Sequence, residues 1–363
     1  EITSLALWRL RNFLINSQVA LIRSAVLTED LPLSGSHYQK YRVHLSVNYI
    51  EGEIFMTTGN RKVYVIGGPT AAGKSVVALY LAKRIQGEIV NCDSVQLYKY
   101  MDIGSAKPSQ KDMNTVPHHL YGFVDPADDI TVAQYQQLAF DKIDGILSRG
   151  KTPIVVGGTG LYLNSLIYKM SFAAKPINLK RRDELEHLAE VRGKDYLFEL
   201  LSAVDPEAAA RIHPNNIRKI IRAIEAYELG SKLESMDKLE PNTKYDFKIN
   251  IVNMDREWLY NRINRRVDKL MEEGLLKEVK HLLAMGYNHD TPAMKGIGYK
   301  ELLSYLDGKS TLEEAVNDIK TNTRHYAKRQ LTWFKRYENA HWVEIKKGEM
   351  VGHIVDDILE ASK

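Results

Sequence analysis

An eight-residue stretch, Gly68-Pro69-Thr70-Ala71-Ala72-Gly73-Lys74-Ser75, constrains the fold of this chain more than any other. It follows Val63-Tyr64-Val65-Ile66, a short apolar run that predicts a buried parallel strand. It precedes Val76 to Ile85, whose apolar residues recur at helical spacing. Strand, glycine turn and helix together are the setting of a phosphate-binding loop. Gly68 and Gly73 let the backbone turn tightly enough for successive N–H groups to face phosphate oxygens, and the helix adds the positive end of its dipole. Lys74 supplies a point charge for the terminal phosphate, and Ser75 a hydroxyl for Mg²⁺. Kinases, NTPases and transferases of other groups all share such a loop, so the chemistry must be decided elsewhere in the chain.

The remaining pattern alternates strands with helices and then stops doing so. Glu88-Ile89-Val90-Asn91 predicts a second strand running into Cys92-Asp93-Ser94. Ligands sit at the carboxyl ends of strands in open α/β sheets, which places Asp93 beside the phosphate loop. There it can hold Mg²⁺ through water, accept a proton from a nucleophile, or simply cap a helix. Gln96 to Pro108 reads as a loop with aromatic and basic residues, either stacking on nucleic acid or an ordinary surface connection. His118-His119 are adjacent and lack a carboxylate or cysteine at ligand spacing, so metal ligation is not expected. Thr131 to Leu147 predicts a helix. Thr152 to Val156 then predicts a strand delivering Gly157-Gly158-Thr159-Gly160 into the helix Leu161 to Lys169. This second glycine turn faces the same sheet edge as the first, with or without a ligand; Thr159 offers a hydroxyl to a phosphate or a base.

From residue 171 to 240 strand signals cease, which predicts a helical insertion. It runs from the charge-rich stretch at Lys180 to Gly193, through a helix starting at Asp205-Pro206, to an amphipathic helix over Asn216 to Leu229. Arg218 and Arg222, four apart, are either a solvated face or part of an electrostatic footprint for RNA. Lys248 to Val252 predicts a strand rejoining the sheet. The last third is helical, with Ser310-Thr311-Leu312-Glu313 as a capping box, and His341 to Ile345 as a last edge strand. On the long helix after Ser310, Lys320, Arg324 and Lys328 repeat every four residues, and no acidic residue interrupts Ile319 to Tyr337. A one-signed face with His325, Tyr326 and Trp333 among it favours a polyanion.

The expected architecture is therefore α/β: a P-loop NTPase-like parallel core over 56–170, a helical insertion over 171–240, and a return to the core with basic helices over 241–363. Residues 1–55 read as an extension outside the core, favoured over a transit peptide although Leu5 to Val26 carries Arg9, Arg11 and Arg23 without an acid. At 44% hydrophobic and 26% charged residues the chain is not disordered as a whole. Its single cysteine, Cys92, excludes a disulfide framework and makes a reducing cytoplasmic compartment the expectation. No apolar run is long enough to span a bilayer. The net charge of +4 is a weak pointer to an anionic partner.

Several stretches coincide with one family. The phosphate loop, Asp93 to Tyr98, Met101 to Pro108, Pro117 to Leu120 and Val156 to Tyr162 resemble the isopentenyltransferases that prenylate adenine. Ile297 to Glu301 and Thr323 to Phe334 resemble the tRNA branch, the tRNA dimethylallyltransferases of bacterial type, rather than the branch acting on free adenine nucleotides. Gly122 and Ser105 depart from the residues usual at those positions. The resemblance implies transfer of a dimethylallyl group from its diphosphate to the N6 amine of the adenosine immediately 3′ to the anticodon, with Mg²⁺; separately, a monomer is expected. It also implies roles for residues: Lys74 and the loop on the diphosphate, Asp93 as the base, and Thr159 near the reacting groups. Ser94, Val95 and Gln96 would hold the target base, and Arg218, Arg222, Lys300, Arg324 and Lys328 would contact tRNA. A free-nucleotide isopentenyltransferase and a P-loop small-molecule kinase are the rival readings.

Overall fold

The computed structural model describes residues 46–50, 53–57, 61–170, 179–232 and 239–363. Contacts divide the chain into two units, Glu1–Gly59 and Asn60–Lys363. In the first, an antiparallel hairpin is described, with β1 (Ser46–Ile50) paired to β2 (Glu53–Thr57) and Ser46 opposite Thr57. This hairpin runs across the boundary expected at residue 55, and the unit ends at Gly59. Of the extension expected over residues 1–55, residues 1–45 and 51–52 lie outside the described residues.

The second unit is built on six parallel strands: β3 (Lys62–Gly67), β4 (Glu88–Asn91), β5 (His118–His119), β6 (Pro153–Val156), β7 (Asp246–Asn253) and β8 (His341–Glu344). Their spatial order is β5-β4-β6-β3-β7-β8. Alternate side chains of β3 enter different cores. Val63 and Val65 pack with Val90, Tyr135 and Leu163, whereas Tyr64 and Ile66 pack with Leu81, Ile89 and Ile154. A strand covered on both faces has no polar side, which is why β3 over Val63–Ile66 and β6 read as apolar runs, whereas β4 holds Ile89 and Val90 between Glu88 and Asn91, both buried and hydrogen-bonded. Each such residue, removed almost completely from water, contributes about 2 kcal/mol.

Register fixes where the strands end. Val156 on β6 stands opposite Ile66 on β3 and opposite Asn91 on β4. Three loops therefore leave the sheet at one level: Gly68 onward, Cys92 onward and Gly157 onward.

The helices follow the expected pattern, with corrections. Val132–Ser148 is opened by a capping box between Thr131 and Gln134. The charge-rich insertion helix does not stop at Gly193; it kinks there, at φ 84°, and continues to Val204. With Pro206–Arg211 and Ile217–Glu228 it encloses its own core of Leu185, Leu197, Leu201, Ile220 and Ile224. On the long basic helix, Leu312–Phe334, the capping box is one residue later than expected. Thr311 accepts from the Glu314 amide and the Glu314 carboxylate answers, while Ser310 lies outside the pair. Both histidines of β5 are structural. His118 Nδ1 lies 2.7 Å from the Val116 carbonyl, and His119 Nε2 lies 2.7 Å from the buried Glu88, which Arg149 also binds.

Candidate active site

The phosphate loop owes its shape to residues that accept unusual dihedrals. Gly68 has φ 141°, and a Cβ there would stand 2.2 Å from the Val252 carbonyl oxygen on the neighbouring strand, so only glycine fits. Gly73, at φ 99°, opens the helix Lys74–Ile85, and Ala71 is held at φ 64° between them. Among the described residues the amides of Ala71, Gly73, Lys74 and Ser75 have no protein acceptor. A helix start with unspent donors is an anion site by construction.

Cations surround this cradle. Lys74 Nζ donates to the Pro69 carbonyl at 2.8 Å. Burial pushes its pKa down to about 8, with Arg266 lowering it further and Asp93 opposing the fall. Arg266 itself is desolvated and its pKa lowered, again against the pull of Asp93. Arg262, one turn earlier on the helix Arg256–Glu273, donates from Nε to the Ala71 carbonyl at 3.0 Å. Three cationic groups thus converge on a loop whose backbone also presents donors, and one carboxylate stands among them.

That carboxylate is Asp93, just past the end of β4. Its Oδ1 accepts from the Val95 amide at 3.0 Å, and its own amide donates to Asn91 Oδ1 at 2.9 Å. No helix follows, so Asp93 is not the helix cap that was one alternative; one oxygen closes a turn, and the other is uncommitted among the described residues. Thr159, on the second glycine turn, accepts from the Ser94 amide at 3.0 Å. Tyr326 reaches Thr159 from the long basic helix, and burial together with Asp93 raises its pKa. The phenol of Tyr121 is raised by the same two causes, burial first. Two phenols thus lie within electrostatic reach of the aspartate.

A single side chain locks the two glycine turns together. Gln330, 4% exposed on the long basic helix, accepts from the Thr70 amide at 2.8 Å through Oε1 and donates to the Gly158 carbonyl at 2.9 Å through Nε2. Trp333, one turn on, donates to the buried Asn164 at 3.2 Å and covers Gly160, where a Cβ would come within 2.3 Å of the indole.

The expected nucleic-acid residues are distributed unequally. Lys328 is exposed and lines two hollows on either side of the long helix, one of them shared with His325, Arg329, Trp333 and Arg336. Arg324 is turned inward, bonding Asn264 at 2.7 Å and Thr321 at 3.0 Å, and Lys320 pairs with Asp268 at 2.6 Å. The continuous exposed stripe expected from the four-residue repeat is thus corrected, because its first two members fasten this helix to Arg256–Glu273. Lys300 is exposed at the first turn of Tyr299–Leu306, 3.6 Å from Glu301. Arg218 and Arg222 are exposed on the insertion helix, which has its own core. Sequence reasoning missed Arg262, Arg266 and the bridging by Gln330. Arg262 and Arg266 were within reach of it: they stand four apart with no acid between them, the same signal that drew attention to Arg218 and Arg222.

A parallel sheet whose strand ends bring a phosphate cradle, a carboxylate and inward-facing cations together defines a P-loop enzyme that acts on a phosphorylated substrate. The chain belongs to the IPP transferase family, whose sequence profile matches residues 96–337. It is 47% identical over 305 residues to the tRNA dimethylallyltransferase of Alkaliphilus oremlandii, covering 84% of this chain and 97% of that protein. It is also similar to the full-length tRNA isopentenylpyrophosphate transferase of Bacillus halodurans, with 41% identity and a TM-score of 0.62 over 84% of this chain and 98% of that one. A eukaryotic dimethylallyltransferase acting on tRNA is 31% identical with a TM-score of 0.68, over 78% of this chain and 73% of that one.

Proposed function

We propose that this chain transfers the dimethylallyl group of dimethylallyl diphosphate to the N6 amine of the adenosine immediately 3′ to the anticodon in tRNA, releasing pyrophosphate. The observation that carries the reading is the bridging by Gln330: the helix that presents the exposed cations is hydrogen-bonded directly to the phosphate cradle and to the turn bearing Thr159.

The chemistry follows from the groups present. The allylic C–O bond breaks with its electron pair going to the diphosphate, whose growing charge is met by the free loop amides, Lys74, Arg262 and Arg266. Tyr121 and Tyr326, both within electrostatic reach of Asp93, are the aromatic rings that would attract the allylic cation. The adenine N6 lone pair is delocalised and weakly nucleophilic. As the new C–N bond forms, the uncommitted oxygen of Asp93 takes the N6 proton. Thr159 accepts from the Ser94 amide and donates weakly to the Ser94 hydroxyl at 3.4 Å, a long bond that it can exchange for one to the base or the departing oxygen.

Ser75 is exposed, and its hydroxyl is engaged by no other side chain among the described residues, which fits Mg²⁺. That ion characteristically keeps waters and substrate phosphates as its other ligands, and when bound it neutralises diphosphate charge. Ser94, Val95 and Gln96 border the base, and exposed Lys328, Arg329 and Arg336 attract the RNA backbone, with Lys300, Arg218 and Arg222 as outlying contacts.

The test is to incubate the protein with radiolabelled dimethylallyl diphosphate and either unmodified tRNA or AMP. Label in tRNA alone is expected. Label in AMP alone, or none with either acceptor, refutes the reading.

A further inference from the structure

The loop Met101–Pro108 is gripped by one carboxylate that belongs to a distant helix. Glu278, on Leu275–Ala284, accepts from the backbone amides of Asp102 at 2.8 Å, Ile103 at 2.7 Å and Gly104 at 3.0 Å, and from the Tyr299 hydroxyl at 2.8 Å. Both oxygens are used, and among the described residues no cation pairs with it. An anion held by three successive main-chain amides is the binding mode of a nest, filled here by the protein's own side chain.

The grip matters because the loop is strained. Tyr100 at φ 63° and Ala106 at φ 48° are non-glycine residues in the left-handed region, one on each side of the gripped turn. Such residues persist only where their surroundings over-determine them. Gly104 is fixed as well, since a Cβ there would lie 2.4 Å from the Tyr299 hydroxyl oxygen.

What the strained loop presents is a pair of carbonyls. Gln96 Nε2 donates to Ser105 O at 3.0 Å and to Ala106 O at 3.2 Å. Two carbonyl acceptors on one side of a carboxamide leave no choice of orientation: its nitrogen must face them, and its oxygen points away. That oxygen has no partner among the described residues. Gln96 lies three residues after Asp93, so the carboxamide offers the segment bordering the base an acceptor of fixed direction, suited to a donor such as an exocyclic amine.

We propose that Glu278 is a positioning residue for Gln96: by holding the loop at residues 102–104 it fixes the carbonyls that orient the Gln96 carboxamide toward the acceptor base. This rests on the tRNA reading given above. Glu278 touches neither substrate and acts only through the loop.

The experiment compares prenylation of unmodified tRNA by the wild type, Glu278→Gln, Gln96→Ala and the double variant. Binding of inorganic pyrophosphate by each is measured calorimetrically. Prenylation by the wild type checks the reading itself, and its failure would overturn that reading rather than the role of Glu278 alone. Glu278→Gln sets an NH₂ against backbone donors; it is expected to lower kcat/KM for tRNA by about a hundredfold, the scale of a misplacement near 1 Å, with pyrophosphate binding unchanged. Gln96→Ala is expected to give a similar loss, and the double variant no more than the larger of the two. Losses that multiply in the double variant, or full activity in Glu278→Gln, would overturn the proposal. Should Glu278→Gln fail to bind pyrophosphate, Tyr299→Phe, which removes one of the four bonds, decides in its place. A severalfold loss that vanishes in the Gln96→Ala background supports the proposal, and a loss of equal size in both backgrounds overturns it.

Discussion

Replacing Gln330 separates stability from chemistry at the junction of the two glycine turns. In Gln330→Leu the side-chain volume is nearly kept while both hydrogen bonds are lost. The Gly158 carbonyl, on a buried residue, bears most of its desolvation penalty, about 2 kcal/mol; the Thr70 amide, on a half-buried residue that water can approach, bears about 1 kcal/mol. A total of about 3 kcal/mol lowers the melting temperature of a domain this large by about 5 °C. Gln330→Glu keeps an acceptor for Thr70 but opposes a carboxylate oxygen to the Gly158 carbonyl, and it adds a negative charge at the cradle. Taking about 7 Å to the nearer phosphate and an effective dielectric of about 20, that charge costs about 2 kcal/mol, or about thirtyfold in KM for the diphosphate. Thermal melts followed by steady-state kinetics at saturating tRNA read both effects. An unchanged melting temperature in Gln330→Leu refutes the bridging, and equal diphosphate KM values in the two variants refute the proximity of this side chain to the bound anion.

Three other perturbations follow. Asp93→Asn keeps an acceptor for the Val95 amide, so tRNA binding by filter assay is expected to hold while turnover falls by about a hundred- to ten-thousandfold; unchanged turnover removes Asp93 from the proton transfer. Lys74 is charged in the free protein only below about pH 8, so kcat/KM for the diphosphate is expected to fall as pH rises through that value, and a flat profile up to pH 9 refutes this. The linkage has a definite sign. The folded value lies below the 10.5 of an exposed lysine, so the unfolded chain binds more protons between about 8 and 10.5, and this group's penalty on folding is relieved as pH rises across that window. Lys328→Ala with Arg329→Ala is expected to reduce the salt slope of tRNA binding by about 1.4, whereas Arg324→Ala, bonded inward to Asn264, is expected to lower stability and leave the slope nearly intact. Equal slopes in both variants contradict that division.

Much of this protein was legible without coordinates because its signals are local. A strand covered on both faces reads as an apolar run. A phosphate cradle needs glycine at fixed spacing, and a helix bears a three- and four-residue repeat; each of these is a property of a few consecutive residues. The placement of Asp93 beside the loop also came through, since parallel strands in register must end together. Other features depended on which side of an element meets a neighbour, and that is set by packing between segments far apart in sequence. The run Lys320, Arg324, Lys328 looks uniform as a string, yet the first two are spent on Asp268 and Asn264 and only the third faces solvent. Arg262 and Arg266 became site residues only when their helix was laid across the cradle, and Gln330 and Glu278 only when their partners 260 and about 175 positions away arrived within hydrogen-bond distance. Sequence by itself determined which local shapes form and which reactive groups the chain owns. Tertiary structure alone decided which of those groups face one another, because hydrogen bonds and charges act over a few ångströms of space and carry no record of separation along the chain.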